Sequence, residues 1–110
     1  MKLPNAESAR VDIEKLTSYT LSLTHPRGRH KARVFKSALG FDLADATFLR
    51  TLMLKTARTG DAHHISTDEF GDRYVIDTEY QGISKKVIIR SSWIVKTGET
   101  FARFVGCHLR

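Results

Sequence analysis

The chain has 110 residues, of which 41% are hydrophobic and 27% are charged, a composition typical of one globular domain over residues 1–110. No apolar run reaches the roughly 18 residues of a membrane span, and the N-terminus lacks the apolar stretch of a secretory signal. We therefore expect the chain to be cytoplasmic, or to be carried elsewhere by another protein. The one cysteine, Cys107, excludes an internal disulfide framework and a thiolate-rich zinc site.

The net charge of +6 is distributed unevenly. Two stretches contain no acidic residue, Lys15 to Phe41 and Gln81 to Gly98, and an acidic stretch from Asp42 to Glu79 separates them. If the two basic stretches meet in the fold, they form a patch that contacts phosphates, the electrostatic footprint of nucleic-acid binding. A solvated basic surface without a ligand is the alternative.

The first half of the sequence predicts helices. Asp12 fits the N-cap of a short first helix, and Thr24 to Gly28 has the proline and glycine of a loop. A second helix is predicted from about Arg29 to Leu39, with Gly40 as its stop. A third is predicted from Asp42 or Asp45 to Gly60. The side chains predicted to face the core recur at helical spacing: Ile13, Leu16 and Tyr19, then Val34, Phe35, Ala38 and Leu39, then Phe48, Leu49, Leu52, Met53 and Ala57.

The second half changes to the period of two that is typical of strands. Asp72 to Tyr80 alternates, Lys85 to Val95 is nearly continuously apolar, and Phe101 to Leu109 returns along it. A weaker strand from Ala62 to Ile65 precedes a polar loop. The sequence therefore predicts an α+β fold in which two to three N-terminal helices pack on one face of a four-stranded antiparallel meander sheet.

Arg90 lies in mid-strand between apolar neighbours. If Trp93 faces the helices as a core residue, alternation puts Arg90 and Ser92 on the opposite, open face. Two interpretations of Arg90 stand at this point: an ion pair across the strands with Asp77 or Glu79, or a guanidinium directed at a phosphate.

The densest polar cluster runs from His25 to Lys31. On a helical wheel Lys31 lies about 20° from Ala38, on the apolar face. This placement predicts an ammonium group at the mouth of a cleft beside the sheet, and a snorkelling side chain without a function is the alternative. His25 lies beside a helix N-terminus and carries an imidazole, which is suited to proton transfer. The alternative is a surface residue without a function.

His108 lies in the last predicted strand, where alternate residues share a face. It would reach an active site on the face of Arg90 only if Gly106, Phe104 and Ala102 share that face.

The adjacent histidines 63 and 64 point in opposite directions on a strand, so no metal site is expected there. No Walker loop, GxGxxG, HExxH or nucleophile elbow occurs. A metal-free reaction on a phosphodiester needs a base, an acid and cations around the developing charge, so no cofactor is expected.

Three stretches resemble a bacterial domain family of unknown function: Leu3-Pro4-Asn5-Ala6, the HPxGxxKA stretch from His25 to Ala32, and Arg90-Ser91-Ser92-Trp93-Ile94-Val95. Members of that family occur as small standalone proteins and as C-terminal toxin domains of larger secreted proteins. The order of helices followed by four strands is also similar to the barnase, EndoU, colicin and RelE-like ribonuclease fold.

The resemblance to the ribonuclease fold implies a metal-independent endoribonuclease toxin that cleaves RNA, with tRNA as one candidate, by attack of a 2′-hydroxyl on the adjacent phosphate. The implied roles are base or acid for His25, charge stabilisation for Lys31 and Arg90, phosphate positioning for Ser92, and second proton transfer for His108. The basic stretches would add the RNA-binding residues Arg27, Arg29, His30, Lys85 and Lys86. The implied partners are RNA and a cognate antitoxin or immunity protein. A non-catalytic module that binds nucleic acid or protein is the alternative.

Overall fold

Four antiparallel strands form one sheet in the order β1-β2-β3-β4. The structure is a computed structural model that describes residues 1–110. The strands are β1 (Ala62–Asp68), β2 (Gly71–Gln81), β3 (Lys86–Lys96) and β4 (Arg103–Leu109). The predicted meander is confirmed, and β1 extends past the predicted Ile65 to a tight turn before Gly71.

The two longer predicted helices are also confirmed. Helix α1 (Arg29–Leu39) ends at Gly40, whose φ of 74° is the left-handed conformation that favours glycine. Helix α2 (Ala46–Thr59) follows a short 3-10 turn that begins with a capping box between Asp42 and Asp45. The helices precede the sheet, so the fold class is α+β as predicted. Neither α-helix combines the length and the apolar run that crossing a membrane would take.

The first predicted helix is only a π-helical turn, Leu16–Thr20. The amide N–H of Leu21 donates to the carbonyl of Leu16 at 2.8 Å, which is the wider spacing of a π-turn. Two hydroxyls nearby bond to backbone carbonyls, Thr17 to Ile13 at 3.3 Å and Thr20 to Lys15 at 3.2 Å. Three of the five residues of this turn are Thr or Ser, which have a low helix propensity, so the segment favours an α-helix only weakly.

One contiguous core lies between the helices and the inner face of the sheet. Phe35 of α1, Leu49 of α2 and Ile76 of β2 are completely buried, and Trp93 of β3 is 1% exposed. The indole N–H of Trp93 donates to the hydroxyl of Ser91 at 2.9 Å, which satisfies the one polar group that this large side chain buries. Trp93 is therefore a core residue, as predicted.

Three side chains that the helical wheel placed inward lie at the surface: Lys31 is exposed, and Val34 and Phe48 are 47% and 52% exposed. The buried stripe of α1 is Ala32, Phe35 and Leu39. On the helical wheel Lys31 lies about 40° from Phe35, at the border of this stripe, and Val34 lies about 100° from Phe35.

A β-bulge interrupts the pairing of β3 with β4. Ser92 pairs with Gly106, the next residue Trp93 pairs with Phe104, and Val105 is left without a partner. A bulge of this kind inserts one residue into one strand and resets the alternation of its faces.

The bulge decides which residues of β4 share a face. Phe104 and Cys107 are both 3% exposed and face the core. Gly106 and His108 lie on the outer face, where His108 pairs with Arg90. The expected grouping of His108 with Phe104 is wrong because the bulge lies between them. The sequence left the face of His108 open, and the structure places it on the face of Arg90.

Gly28 supports a close contact between two segments. A Cβ at Gly28 would overlap the carbonyl oxygen of Tyr19 and lie 3.0 Å from its carbonyl carbon. We expect Gly28→Ala to lower the free energy of unfolding by about 1–3 kcal/mol, because two backbones would have to move apart. Gly106→Ala is the matched control, since nothing lies within 4 Å of its added Cβ. Urea unfolding followed by Trp93 fluorescence measures both, and equal midpoints for the two variants would contradict the close contact.

Candidate active site

A cleft opens where strand β4, at the edge of the sheet, meets the π-helical turn and α1. Its volume is about 360 Å³. We call it the His108 cleft, and its lining residues are Lys15, Tyr19, Lys31, Ser92, Val105, Gly106, Cys107 and His108. None of these residues is acidic, so the cleft favours an anion.

His108 is the one histidine that lines this cleft. Burial lowers the pKa of His108, and the positive charges of Lys31 and Arg90 lower it further, while Asp77 opposes them. A lowered pKa keeps the imidazole neutral at neutral pH, the state in which it accepts a proton.

Lys31 lies at the mouth of the cleft, as predicted, although it reaches there from the border of α1 and not along its buried face. Its Nζ is 5.8 Å from the centroid of the Tyr19 ring, within the range of a cation–π interaction. None of the ion pairs of the chain involves Lys31. Its ammonium group is therefore available to an anionic ligand.

Arg90 is paired with Asp77, one of the two interpretations left open by the sequence. Its Nε and Nη2 donate to the two carboxylate oxygens of Asp77 at 2.8 and 2.9 Å. Arg110 donates to the same carboxylate at 2.7 Å. Hydrogen bonds from Arg90, together with the charges of both arginines, hold the pKa of Asp77 below its usual range. Arg90 does not line the cleft, and it acts on His108 through its charge.

His25 caps the turn that leads into α1. Its Nδ1 accepts hydrogen bonds from the backbone N–H groups of Arg27 at 3.0 Å and Gly28 at 2.9 Å. This is the geometry of an N-cap, with Pro26 in the first position of the turn, where proline is favoured. The nitrogen that would take up a proton already accepts two hydrogen bonds. His25 also lies outside the His108 cleft, and its ring packs edge-on against Tyr19 at 4.7 Å between centroids.

The predicted RNA-binding residues fall into two separate groups. Arg27, Arg29 and His30 are exposed at the N-terminal end of α1, and His30 lines a shallow depression beside His108. Lys85 and Lys86 lie at the turn between β2 and β3, which bonds to the C-terminal end of α1 through Ile83 and Ala38. Since α1 has 11 residues and is about 16 Å long, the two groups flank opposite ends of the helix.

Two polar residues of the cleft, Tyr19 and Lys15, are not among the site residues that the sequence predicts. The helical spacing predicts that Tyr19 faces the core, and Lys15 is only one charge of a basic stretch. The π-helical turn brings both to the cleft, and the run of hydroxyl residues from Thr17 to Thr20 is the signal that the segment would not continue as an amphipathic helix. Cys107 also lines the cleft, but burial raises the pKa of its thiol to about 12, which makes it a poor nucleophile.

Comparison with known proteins agrees with this architecture. The chain matches the family described as domain of unknown function DUF6883 over residues 2–110, and it belongs to that family. No curated protein matches it significantly. Among solved structures, a chain of the contact-dependent growth inhibition toxin–immunity protein complex from Klebsiella pneumoniae 342 is similar, with a TM-score of 0.66 and 19% identity. The match covers 91% of this chain and 98% of that chain, and it shows a shared fold.

The electrostatic coupling between Lys31 and His108 can be measured directly. Because the charge of Lys31 lowers the pKa of His108, Lys31→Ala is expected to raise that pKa towards the ordinary value for histidine. Lys36→Ala removes the same charge from an exposed position of α1 outside the cleft and is expected to leave it unchanged. An NMR titration of the imidazole resonances gives both values. An unchanged His108 pKa in Lys31→Ala would contradict the arrangement.

Proposed function

We propose that this protein is a metal-independent endoribonuclease that acts as a toxin and cleaves RNA in the His108 cleft. One observation carries the proposal: a histidine with a lowered pKa lies beside an unpaired lysine in a cleft without acidic residues. A neutral imidazole and nearby ammonium groups are what transesterification of RNA requires when no metal takes part.

In the proposed reaction His108 accepts the proton of a ribose 2′-hydroxyl, and the 2′-oxygen forms a bond to the adjacent phosphorus. The ammonium groups of Lys31 and Lys15 stabilise the negative charge that develops on the phosphate oxygens. The bond from phosphorus to the 5′-oxygen then breaks, and the phenol of Tyr19 gives that oxygen a proton. The products are a 2′,3′-cyclic phosphate and a 5′-hydroxyl end. Ser92 would hold a phosphate oxygen.

The other residues implied by the resemblance take indirect roles in this proposal. Arg90 is a positioning residue, since its guanidinium is bound to Asp77 and its charge lowers the pKa of His108. His25 positions Tyr19 and the start of α1, and through them Lys31. The RNA backbone near the cleft would contact Arg27, Arg29 and His30. An RNA would reach Lys85 and Lys86 only if it extended past the C-terminal end of α1.

The toxin role draws support from the structural match. The similar chain belongs to a toxin–immunity protein complex. A toxin that cleaves cellular RNA would also harm the cell that makes it unless an inhibitor binds it. A cognate immunity protein or antitoxin with an acidic surface would complement the basic cleft and block access of RNA.

The test is incubation of the purified protein with total RNA and with tRNA in EDTA, followed by analysis of the fragment ends. We expect cyclic phosphate ends, and a loss of about 10²- to 10⁴-fold in rate for His108→Ala, the range typical of a general acid or base. His25→Asn keeps a side-chain acceptor for the backbone N–H groups, so it should retain most of the rate.

Retention of cleavage by His108→Ala, or its loss in a folded His25→Asn variant, would overturn this assignment of roles. Absence of cleavage by the unmodified protein, with salt-dependent RNA binding still present, would instead favour a non-catalytic binding module.

A further inference from the structure

A second and larger cavity adjoins the His108 cleft. Its volume is about 610 Å³. We call it the arginine cavity, and its charged lining residues are Arg10, Asp12, Lys15, Arg50, Arg58, Lys96 and Arg103. Six of these seven are basic, so this cavity concentrates more positive charge than the His108 cleft, in which Lys15 and Lys31 are the charged lysines.

Only two of these cations have carboxylate partners. Arg103 binds Glu99 through two hydrogen bonds of 2.8 and 2.7 Å, and Arg58 lies 3.9 Å from the exposed Glu7. The remaining basic residues, Arg10, Lys15, Arg50 and Lys96, form no ion pair. Asp12 and Glu99 offset part of this charge, since Glu99 interacts electrostatically with Lys96 and Arg10 and also binds Arg103, and an excess of positive charge remains.

Two of the unpaired guanidinium groups are held in place by uncharged partners. The Nε of Arg50 donates to the carbonyl of Val11 at 2.9 Å, which leaves both Nη groups free to bond elsewhere. The guanidinium of Arg10 stacks on the ring of Phe101, with its Cζ 4.3 Å from the ring centroid. A guanidinium that is fixed in this way loses little entropy when it binds a phosphate through two hydrogen bonds.

The arginine cavity and the His108 cleft are adjacent, because Lys15 and Val105 line both. Val105 is the bulged residue of β4 and Lys15 precedes the π-helical turn, so the two form the boundary between a site for chemistry and a region of unpaired arginines. A ligand long enough to pass this boundary would place anionic groups in both.

We propose that the arginine cavity is a second phosphate subsite, which binds the RNA backbone on one side of the bond held in the His108 cleft. The inference rests on the proposed ribonuclease function and deepens it, because it makes the substrate a polynucleotide that spans both cavities and not a dinucleotide. The carrying residues are Arg10, Arg50 and Lys96, which come from three separate segments and converge on one concave surface.

Binding of a 2′-O-methyl RNA oligonucleotide, which lacks the attacking hydroxyl, tests the subsite independently of catalysis. Fluorescence anisotropy over a series of salt concentrations compares the unmodified protein with the double variant Arg10→Ala/Lys96→Ala. For a single strand each lost phosphate contact lowers the magnitude of the slope of log K against log salt by about 0.7, so we expect a decrease of about 1.4. The matched control, Arg33→Ala/Lys36→Ala, removes the same charge from exposed positions on α1 and should leave the slope unchanged.

A cleavage assay with two substrate lengths separates this inference from the proposed function. The Arg10→Ala/Lys96→Ala variant should lose tenfold or more in kcat/KM on a long oligonucleotide and keep the rate on a dinucleotide, which fills only the His108 cleft. If the unmodified protein cleaves neither substrate, the proposed function fails, and the anisotropy series still decides whether the cavity binds phosphates. Equal slopes for the two double variants would overturn the proposed subsite. Absence of any salt-dependent RNA binding would also overturn it, and would favour an acidic protein surface as the ligand of the cavity.

Discussion

The β-bulge at Val105 is the constraint on which the rest of the site depends. The core takes Phe104 and Cys107 from β4, and these residues are three apart, a spacing that a regular strand would direct to opposite faces. The extra residue resolves this conflict and leaves His108 on the outer face, opposite Arg90. Packing of the core and exposure of the histidine are therefore satisfied together by one irregularity at the edge of the sheet.

The other wall of the cleft depends on the start of α1. His25 accepts two backbone N–H groups, and Gly28 allows the chain to lie against the carbonyl of Tyr19. These local contacts fix where Tyr19 and Lys31 face His108. The two walls together place positive charge around a partly buried imidazole, and burial and charge lower its pKa in the same direction. A structural cap and one wall of the His108 cleft thus share one short segment.

The sequence predicted α1 from its apolar stripe and Gly40, and the strands from their period of two, because regular elements repeat a pattern over many residues. Three of the predicted site residues, Lys31, Ser92 and His108, line the cleft. The bulge at Val105 and the π-helical turn are single irregularities that leave no period, so the sequence did not predict that Lys15 and Tyr19 join them. The partner of Arg90 depended on the register of β2 against β3, which the sequence left open between two carboxylates. The arginine cavity depended on tertiary packing, since its residues are distant in the sequence and each is ordinary for a surface.

The central claim is that RNA binds where His108 meets Lys31. Backbone amide shifts in NMR spectra of the full chain, recorded during titration with a short 2′-O-methyl RNA, test it most directly. We predict that the largest changes fall on the segment 105–108 of β4, on Tyr19 and on Lys31, and that residues 62–65 of β1, at the opposite edge of the sheet, are unaffected. Changes centred on residues 62–65, or saturating binding without any change at His108, would contradict the account.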